Sequence, residues 1–175
     1  MYARRVIAGI SGSAGSLQGL RYAAQMARSE NAELVPVLAW TPPGGELADR
    51  RAPCLELRRA WLQAAWERLW RAIDLGIGGP PADVAFAPQV VRGSAGEVLS
   101  RLAAEPGDVL VIGAGRRGAM RRLAACSVSR YCLGHAHCPV IAVPPASLAA
   151  EAHGLHGWRL RHRVHADGTD LHADA

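Results

Sequence analysis

The sequence contains no lysine, so all twenty of its basic side chains are arginines. This absence excludes a P-loop, because the GxxxxGK[ST] motif requires a lysine. Arginine still offers a planar fork that suits phosphate and carboxylate groups. The arginines behind the net charge of +5 are spread over several segments without interleaved aromatic residues. The pattern therefore does not predict a nucleic-acid-binding protein.

Long apolar runs are also absent. A helix that spans a bilayer needs about 20 mostly apolar residues, and no segment approaches that length. The N-terminus, from Met1 to Arg5, leads directly into an apolar strand rather than into a signal peptide. We therefore expect a cytoplasmic protein that is not bound to a membrane. In that compartment the four cysteines are expected to be reduced thiols.

Recognisable catalytic and metal-binding constellations are missing as well. No Ser-His-Asp arrangement with a nucleophile elbow occurs, and no pair of carboxylates has a context that suggests acid-base chemistry. Cys132, His135, His137 and Cys138 lie close together, but their spacing matches no standard zinc motif. The sequence therefore predicts no metal and no enzyme, while leaving slow ATP hydrolysis open.

Short apolar runs alternate with helical patterns along most of the chain. The runs at residues 6–10, 34–40, 84–91, 109–112 and 139–143 predict five strands. Four helices are predicted: one capped by Ser16, and three over residues 55–75, 95–104 and 127–133. Pro36 lies inside the second strand, where it cannot donate a ladder hydrogen bond.

Alternation of strands and helices predicts an α/β fold, an open parallel five-stranded sheet with helices on both faces. This doubly wound layout is typical of nucleotide-binding domains. The predicted domain covers residues 1–145, because the composition changes after Pro144 and Pro145. Residues 146–175 are expected to form a partly disordered tail with a short helix.

Small polar residues follow the first and fourth strands, where open parallel sheets bind ligands. Gly113, Gly115 and Gly118 come directly after strand four, and glycines let backbone amides approach an anion closely. Ser127 stands at the next helix start, where the helix dipole and exposed amides favour phosphate. The segment therefore predicts a nucleotide loop, although a glycine-rich turn can also be just a tight connection.

The same glycines spell GxGxxG, the fingerprint of dinucleotide-binding folds. That motif has to open a helix at once and to be followed by an acidic residue about 20 positions later. Here the next helix start is Ser127, and no acidic residue lies between Gly113 and Glu151. The sequence therefore argues against dinucleotide binding.

Three segments resemble the universal stress protein family: residues 6–13 (VIAGISGS), residues 108–113 (DVLVIG) and residues 127–140, which run from SVSR to HCPV. The resemblance implies a five-stranded parallel sheet. It also implies a homodimer joined along the last strand, through Val140, Ile141, Ala142 and Val143. Both implications agree with the order and the lengths of the predicted elements.

ATP-binding members of that family carry glycine, two residues, glycine, nine residues, then glycine and serine or threonine. In this chain Gly113 matches the first glycine and Ser127 the final serine, but Arg116 and Cys126 replace the other glycines. Ser11 stands where these relatives usually carry an aspartate. The resemblance therefore implies a degenerate nucleotide pocket. The candidate site residues are Ser11, Ala39, Gly113, Gly115, Arg116, Gly118, Ser127, Val128 and Ser129.

From this resemblance we expect a stress-response protein that works as a dimeric binding or interaction module. The alternative is a regulatory protein that holds ATP or AMP at the loop after strand four. The protein partner and the stress signal are not identified by the sequence.

Overall fold

The computed structural model describes residues 3–114 and 128–144 of the chain. Five strands lie in these ranges: β1 (Arg5–Ile10), β2 (Glu33–Trp40), β3 (Gln89–Arg92), β4 (Asp108–Gly113) and β5 (Val140–Val143). The helices are α1 (Ala14–Glu30), α2 (Gly45–Arg51), α3 (Leu55–Ile77), α4 (Ala95–Leu102) and α5 (Val128–His135).

All five strands are parallel and pair in the order β3-β2-β1-β4-β5. After β1 the chain builds the sheet outward through β2 to β3, and it then returns to place β4 on the other side of β1. The strand order therefore switches between β1 and β4, where an open α/β sheet forms its ligand-binding crevice. The predicted fold class is confirmed.

Apolar layers cover both faces of the sheet. Because side chains alternate along a strand, Val6 faces the layer that contains Leu20 of α1 and Leu69 of α3. Ile7 faces the opposite layer, which contains Leu99 of α4. Strands buried on both faces appear in the sequence as unbroken apolar runs, and the short run in β1 is of this kind.

The N-terminus of α1 is capped by Ser13, not by Ser16 as the sequence pattern predicted. The Ser13 hydroxyl accepts a hydrogen bond from the Ser16 backbone N–H at 3.3 Å. Ser16 lies inside the first turn, where its own hydroxyl donates to the Ser13 carbonyl oxygen at 2.9 Å. Either serine suits a cap by residue type, so only the backbone geometry separates them.

Helix α3 extends the predicted helix by two residues, to Ile77, and ends at Gly78 with a positive φ of 78°. Leu62, which is spaced for an apolar face with Leu69 and Ile73, is 39% exposed. The residues that fill the interface with the sheet are Ala65, Leu69, Ala72 and Ile73.

Helix α2 was not predicted, because the Pro-Pro-Gly-Gly sequence before it is typical of a turn. Gly44 and Gly45 do turn the chain, with φ values of 83° and 84°. A seven-residue helix nevertheless begins at once, and Asp49 is its buried residue.

Strand β3 is shorter than the predicted strand at residues 84–91. The resulting gap in its pairing with β2 explains how Pro36 fits inside β2. Only an isolated bridge between Leu34 and Phe86 precedes the regular pairing, which begins at Val37 and Gln89. The Leu34 N–H points toward the β3 side, where it donates to the Ala85 carbonyl oxygen. Since backbone groups alternate along a strand, the Pro36 nitrogen points to the same side, into the gap in the ladder.

An ion pair joins β1 to β4 at the edge of the sheet where the amino ends of the strands lie. The Arg5 guanidinium donates to both carboxylate oxygens of Asp108, at 2.9 and 2.7 Å. Burial of Asp108 opposes its ionisation, but the hydrogen bonds from Arg5 and from the Glu105 backbone N–H outweigh that effect and lower its pKa. Asp108 therefore has a structural role.

The C-terminal tail, residues 146–175, lies outside the described residues, so its predicted short helix and the boundary at 145 stay predictions. In residues 3–114 and 128–144 no helix combines the length and the apolar character needed to cross a membrane.

Candidate functional site

A serine-rich loop follows β1 at the carboxyl edge of the sheet. Ser11 is exposed, and its hydroxyl lies 3.0 Å from the Ser13 hydroxyl and accepts the Ser13 backbone N–H at 3.4 Å. Since Ser13 in turn caps α1, the loop brings two hydroxyls to the start of that helix. The N-terminus of a helix and the hydroxyls beside it favour an anion.

Gly113, at the end of β4, lies directly against the first turn of α1. A Cβ atom at this position would collide with the carbonyl group of Gly15 and lie 2.7 Å from the Ser16 nitrogen. The sequence interpretation assigned Gly113 to the approach of a phosphate. The structure shows that the close packing of β4 on α1 already requires a glycine there, and this contact joins the loops after β1 and β4.

Ser129 lies in the first turn of α5, and its hydroxyl donates to the Gly113 carbonyl oxygen at 3.1 Å. This hydrogen bond ties the start of α5 to the end of β4. The hydroxyl has one proton and uses it here, so Ser129 has only lone pairs left for a ligand. Val128, the residue before it, is 37% exposed.

Ala39 lies near the end of β2, opposite Val91 of β3. The pairing of β1 with β2 ends at Ile10 and Leu38, so Ser11 and Ala39 are the next residues along the two neighbouring strands. Ala39 is half-buried and packs with the apolar layer that α4 and α5 cover.

The structure therefore brings five candidate residues to one edge of the sheet: Ser11, Ala39, Gly113, Val128 and Ser129. The other four candidates, Gly115, Arg116, Gly118 and Ser127, lie outside the described residues, as does Cys126. For the described part, the arrangement presents hydroxyls, backbone amides and a helix N-terminus at the point where the strand order switches. Backbone amides and a helix N-terminus of this kind bind phosphate groups.

The cysteine and histidine residues weighed as a metal site do not converge. Cys132 is buried beneath α4, where its thiol lies 3.9 Å from the Gly96 carbonyl oxygen and burial raises its pKa. His135 is exposed and stacks on Tyr131 with ring centroids 4.1 Å apart. Across residues 3–114 and 128–144, no three His, Cys, Asp or Glu residues are placed to hold a metal ion.

A second polar cluster at the carboxyl edge escaped the sequence analysis. Arg92, the last residue of β3, donates to the two carboxylate oxygens of Glu46 at 3.0 and 2.6 Å and to Asp49 at 2.6 Å. Its guanidinium carbon lies 5.7 Å from the ring centroid of Trp40, at the end of β2. Arg58 of α3 completes the cluster by donating to both carboxylate oxygens of Asp49, at 2.9 and 3.0 Å.

These contacts keep the carboxylates ionised. Hydrogen bonds from Arg58 and then from Arg92 lower the pKa of Asp49, and the hydrogen bond from Arg92 lowers that of Glu46. In turn, the hydrogen bonds to Glu46 and Asp49 raise the pKa of Arg92. Sequence reasoning missed the cluster because both acidic residues lie on α2, which was itself not predicted.

Comparison with known proteins identifies the fold and the family that it resembles. Residues 3–144 match the family model described as the universal stress protein family. No curated protein shows significant similarity to the chain. Among solved structures, the chain is similar to a universal stress protein in complex with cAMP, with 26% identity and a TM-score of 0.54 over 83% of this chain and 100% of that one.

Two further solved structures are similar at lower identity. One is the universal stress protein UspA from Lactobacillus plantarum, with 16% identity and a TM-score of 0.53 over 82% of this chain and 99% of that one. The other is a hypothetical protein whose biochemical function was assigned from its structure, with 12% identity and a TM-score of 0.65 over 84% and 99%. At such identities the likeness shows the fold alone.

Proposed function

This chain belongs to the universal stress protein family, and on that premise we propose that it is a stress-response binding module with an adenine-nucleotide pocket of reduced affinity. The pocket lies at the carboxyl ends of β1 and β4. Support from a relative comes from the 26%-identical family member that was solved in complex with cAMP.

One observation carries the proposal: the meeting of the Ser11 loop, the end of β4 and the start of α5 at the switch in strand order. The hydrogen bond from Ser129 to Gly113 and the contact of Gly113 with Gly15 hold these three segments together. A nucleotide at this edge would find hydroxyls from Ser11 and Ser13 and the positive end of the α1 dipole.

Reduced affinity follows from the chemistry of the loop residues. Ser11 supplies no carboxylate where ATP-binding relatives carry an aspartate, and Arg116 and Cys126 replace two glycines of their motif. A position that takes a positive φ favours glycine, and a side chain there would obstruct the approach of a ligand. The loop arginines add charge that favours phosphates, so we propose weak binding of AMP, ATP or cAMP rather than none.

Isothermal titration calorimetry of the full chain with cAMP, AMP and ATP tests the proposal. We expect dissociation constants of about 0.1–1 mM, which correspond to about 4–5.5 kcal/mol of binding free energy. The absence of binding at several millimolar of every nucleotide would contradict a pocket. A dissociation constant of about 1 μM or lower would contradict reduced affinity and favour the tightly binding, ATP- or AMP-regulated alternative.

We propose that the protein is not an enzyme, since its polar groups at the carboxyl edge suit the binding of a nucleotide rather than its activation for hydrolysis. Incubation with ATP followed by product analysis should show no release of ADP or AMP above a buffer blank. Turnover above that blank would contradict this part of the proposal and indicate slow hydrolysis.

We further propose a cytoplasmic homodimer joined through β5. Within the described part of the chain, β4 is the single neighbour of β5, and the four residues of β5 are all uncharged. Ala142 is exposed there. An edge strand without charged residues leaves its backbone groups open to pairing with another chain, and a second copy of β5 satisfies both strands at once.

A further inference from the structure

Arg92 and its neighbours form a balanced cluster of two cations and two anions. Arg92 and Arg58 supply two positive charges, and Glu46 and Asp49 supply two negative charges. The cluster lies at the carboxyl ends of β2 and β3, on the same edge of the sheet where open α/β folds bind ligands.

The two carboxylates differ sharply in exposure. The Asp49 side chain is 1% exposed and accepts hydrogen bonds from both arginines. The Glu46 side chain is 41% exposed and accepts from Arg92. Buried charges are costly to strip of their partners, while exposed pairs exchange readily with solvent ions. Asp49 is therefore a fixed anchor, and Glu46 is the exchangeable partner.

The backbone before Glu46 allows that exchange. Gly44 and Gly45 both have positive φ, and a Cβ built on Gly45 would meet no atom within 4 Å. Asp49 is the buried residue of α2. At the start of this short helix, the Glu46 carboxylate accepts from Arg92 and the Gly45 N–H donates to the Pro42 carbonyl oxygen at 2.8 Å. The arrangement lets Glu46 leave Arg92 while the anchor at Asp49 stays in place.

We propose that Arg92 is an anion-binding residue whose guanidinium fork is occupied by the Glu46 carboxylate until a phosphate group of a ligand displaces it. A carboxylate and a phosphate present similar pairs of oxygens to an arginine fork. Once Glu46 leaves, the four-residue cluster carries one excess positive charge, because Arg92 and Arg58 are then paired with the single carboxylate of Asp49. The Trp40 ring supports the guanidinium from one side, at 5.7 Å from the ring centroid.

The ligand class is a phosphate or polyphosphate group. The residues that would bind it, on β3, α2 and α3, are not the ones assigned to the nucleotide pocket at β1 and β4. Inorganic pyrophosphate is therefore the probe of choice, since it carries neither base nor ribose. A failure of nucleotide binding leaves this proposal standing, and a failure of pyrophosphate binding at Arg92 leaves the nucleotide pocket standing.

The test compares pyrophosphate affinity in the full-length protein and in three variants by calorimetry at low salt. Glu46→Gln removes the competing charge, and we expect it to tighten binding about fivefold, equivalent to about 1 kcal/mol. Arg92→Lys keeps the charge but loses the fork, and Arg92→Gln loses both. In the Glu46→Gln background, we expect Arg92→Lys to reverse most of the gain and Arg92→Gln to abolish it.

Glu56→Gln is the matched control, because Glu56 is an exposed glutamate in the first turn of α3 and the change of charge is the same. Equal tightening by Glu46→Gln and Glu56→Gln would show a general charge effect and overturn the proposal. A pyrophosphate affinity that stays the same when Arg92→Gln is added to Glu46→Gln would also overturn the proposal. So would the absence of pyrophosphate binding in both the natural protein and Glu46→Gln.

A second readout covers the possibility that Arg92 variants are unstable. Hydrogen exchange measures the opening of α2 directly in the natural protein. Added pyrophosphate should speed the exchange of amides in Gly45–Arg51 and leave those of α4 unchanged. Slower or unchanged exchange in α2 at saturating pyrophosphate would contradict displacement of Glu46.

Discussion

Gly113, at the end of β4, packs on Gly15, in the first turn of α1, so closely that a Cβ atom at Gly113 would collide with the Gly15 carbonyl group. The glycine that most resembles a phosphate-binding residue in the sequence is thus required by the fold itself. Any bulky substitution at Gly113 tests packing and ligand binding together. A loss of ligand binding in such a variant would not by itself identify a pocket residue, so a Gly113 variant is a test of stability.

Gly113→Ala should lower the free energy of unfolding by about 1–3 kcal/mol, because overpacking forces the backbone of β4 and α1 apart. Gly134→Ala is the control, since a Cβ there meets no atom within 4 Å. It should leave stability equal or slightly higher, because alanine favours a helix over glycine. Urea denaturation measures both variants, and equal stability of the two would contradict the packing described here.

Ser13→Ala should lower the free energy of unfolding by about 1 kcal/mol, because it removes the side-chain cap of α1. Ser94 offers a matched control: it stands at the N-cap of α4 but forms no side-chain capping hydrogen bond there. Thermal unfolding should therefore show a smaller loss in Ser94→Ala. A larger loss in Ser94→Ala than in Ser13→Ala would contradict the assigned caps.

Asp108→Asn should lower the free energy of unfolding by about 2 kcal/mol at pH 7, because it removes the charge that Arg5 binds. The pKa of Asp108 is lowered in the folded state, so this contribution is present above about pH 4 and is lost as the pH falls through the folded pKa. The difference in free energy of unfolding between the natural protein and Asp108→Asn should therefore become smaller in acid.

Denaturant titrations from neutral to acidic pH check this dependence. Asp83→Asn is the control, because the pair of Asp83 with Arg28 is exposed on both sides and contributes little. A difference that stays constant down to strongly acidic pH would contradict the role assigned to Asp108.

Ala142→Glu should dissociate the proposed homodimer, because a charge on the exposed side of β5 opposes its pairing with a second copy. Ala104→Glu introduces the same charge at an exposed position away from β5 and should leave the dimer intact. Light scattering at several concentrations measures the mass. A natural protein that stays monomeric, or an Ala142→Glu variant that stays dimeric, would refute the interface.

The fold class and the positions of strands other than β3 were predictable from the sequence, because apolar runs with β-branched residues mark buried parallel strands. The run from Val109 to Ile112 lies inside β4, and the run from Val6 to Ile10 lies inside β1. The pattern also placed the candidate site at the carboxyl edge of the sheet, since that expectation follows from the order of strands and helices.

Features that depend on local backbone geometry were not predictable. Gly44 and Gly45 indicated a turn, but glycine does not predict that a helix follows immediately. Ser13 and Ser16 suit a cap equally well by composition. The ion cluster on α2 was out of reach for the same reason: Arg92 and Asp49 are 43 residues apart in sequence and meet only in the fold.

The central claim, a weakened nucleotide pocket beside Ser11, is tested most directly by restoring the missing carboxylate. Ser11→Asp should tighten AMP and ATP binding about tenfold in calorimetry, equivalent to about 1.4 kcal/mol, because a carboxylate hydrogen bond to a ribose hydroxyl is strong. Ser29→Asp, an exposed serine near the other end of α1, carries the same charge and should leave affinity unchanged. Unaltered or weaker nucleotide binding in Ser11→Asp would contradict a pocket at the carboxyl ends of β1 and β4.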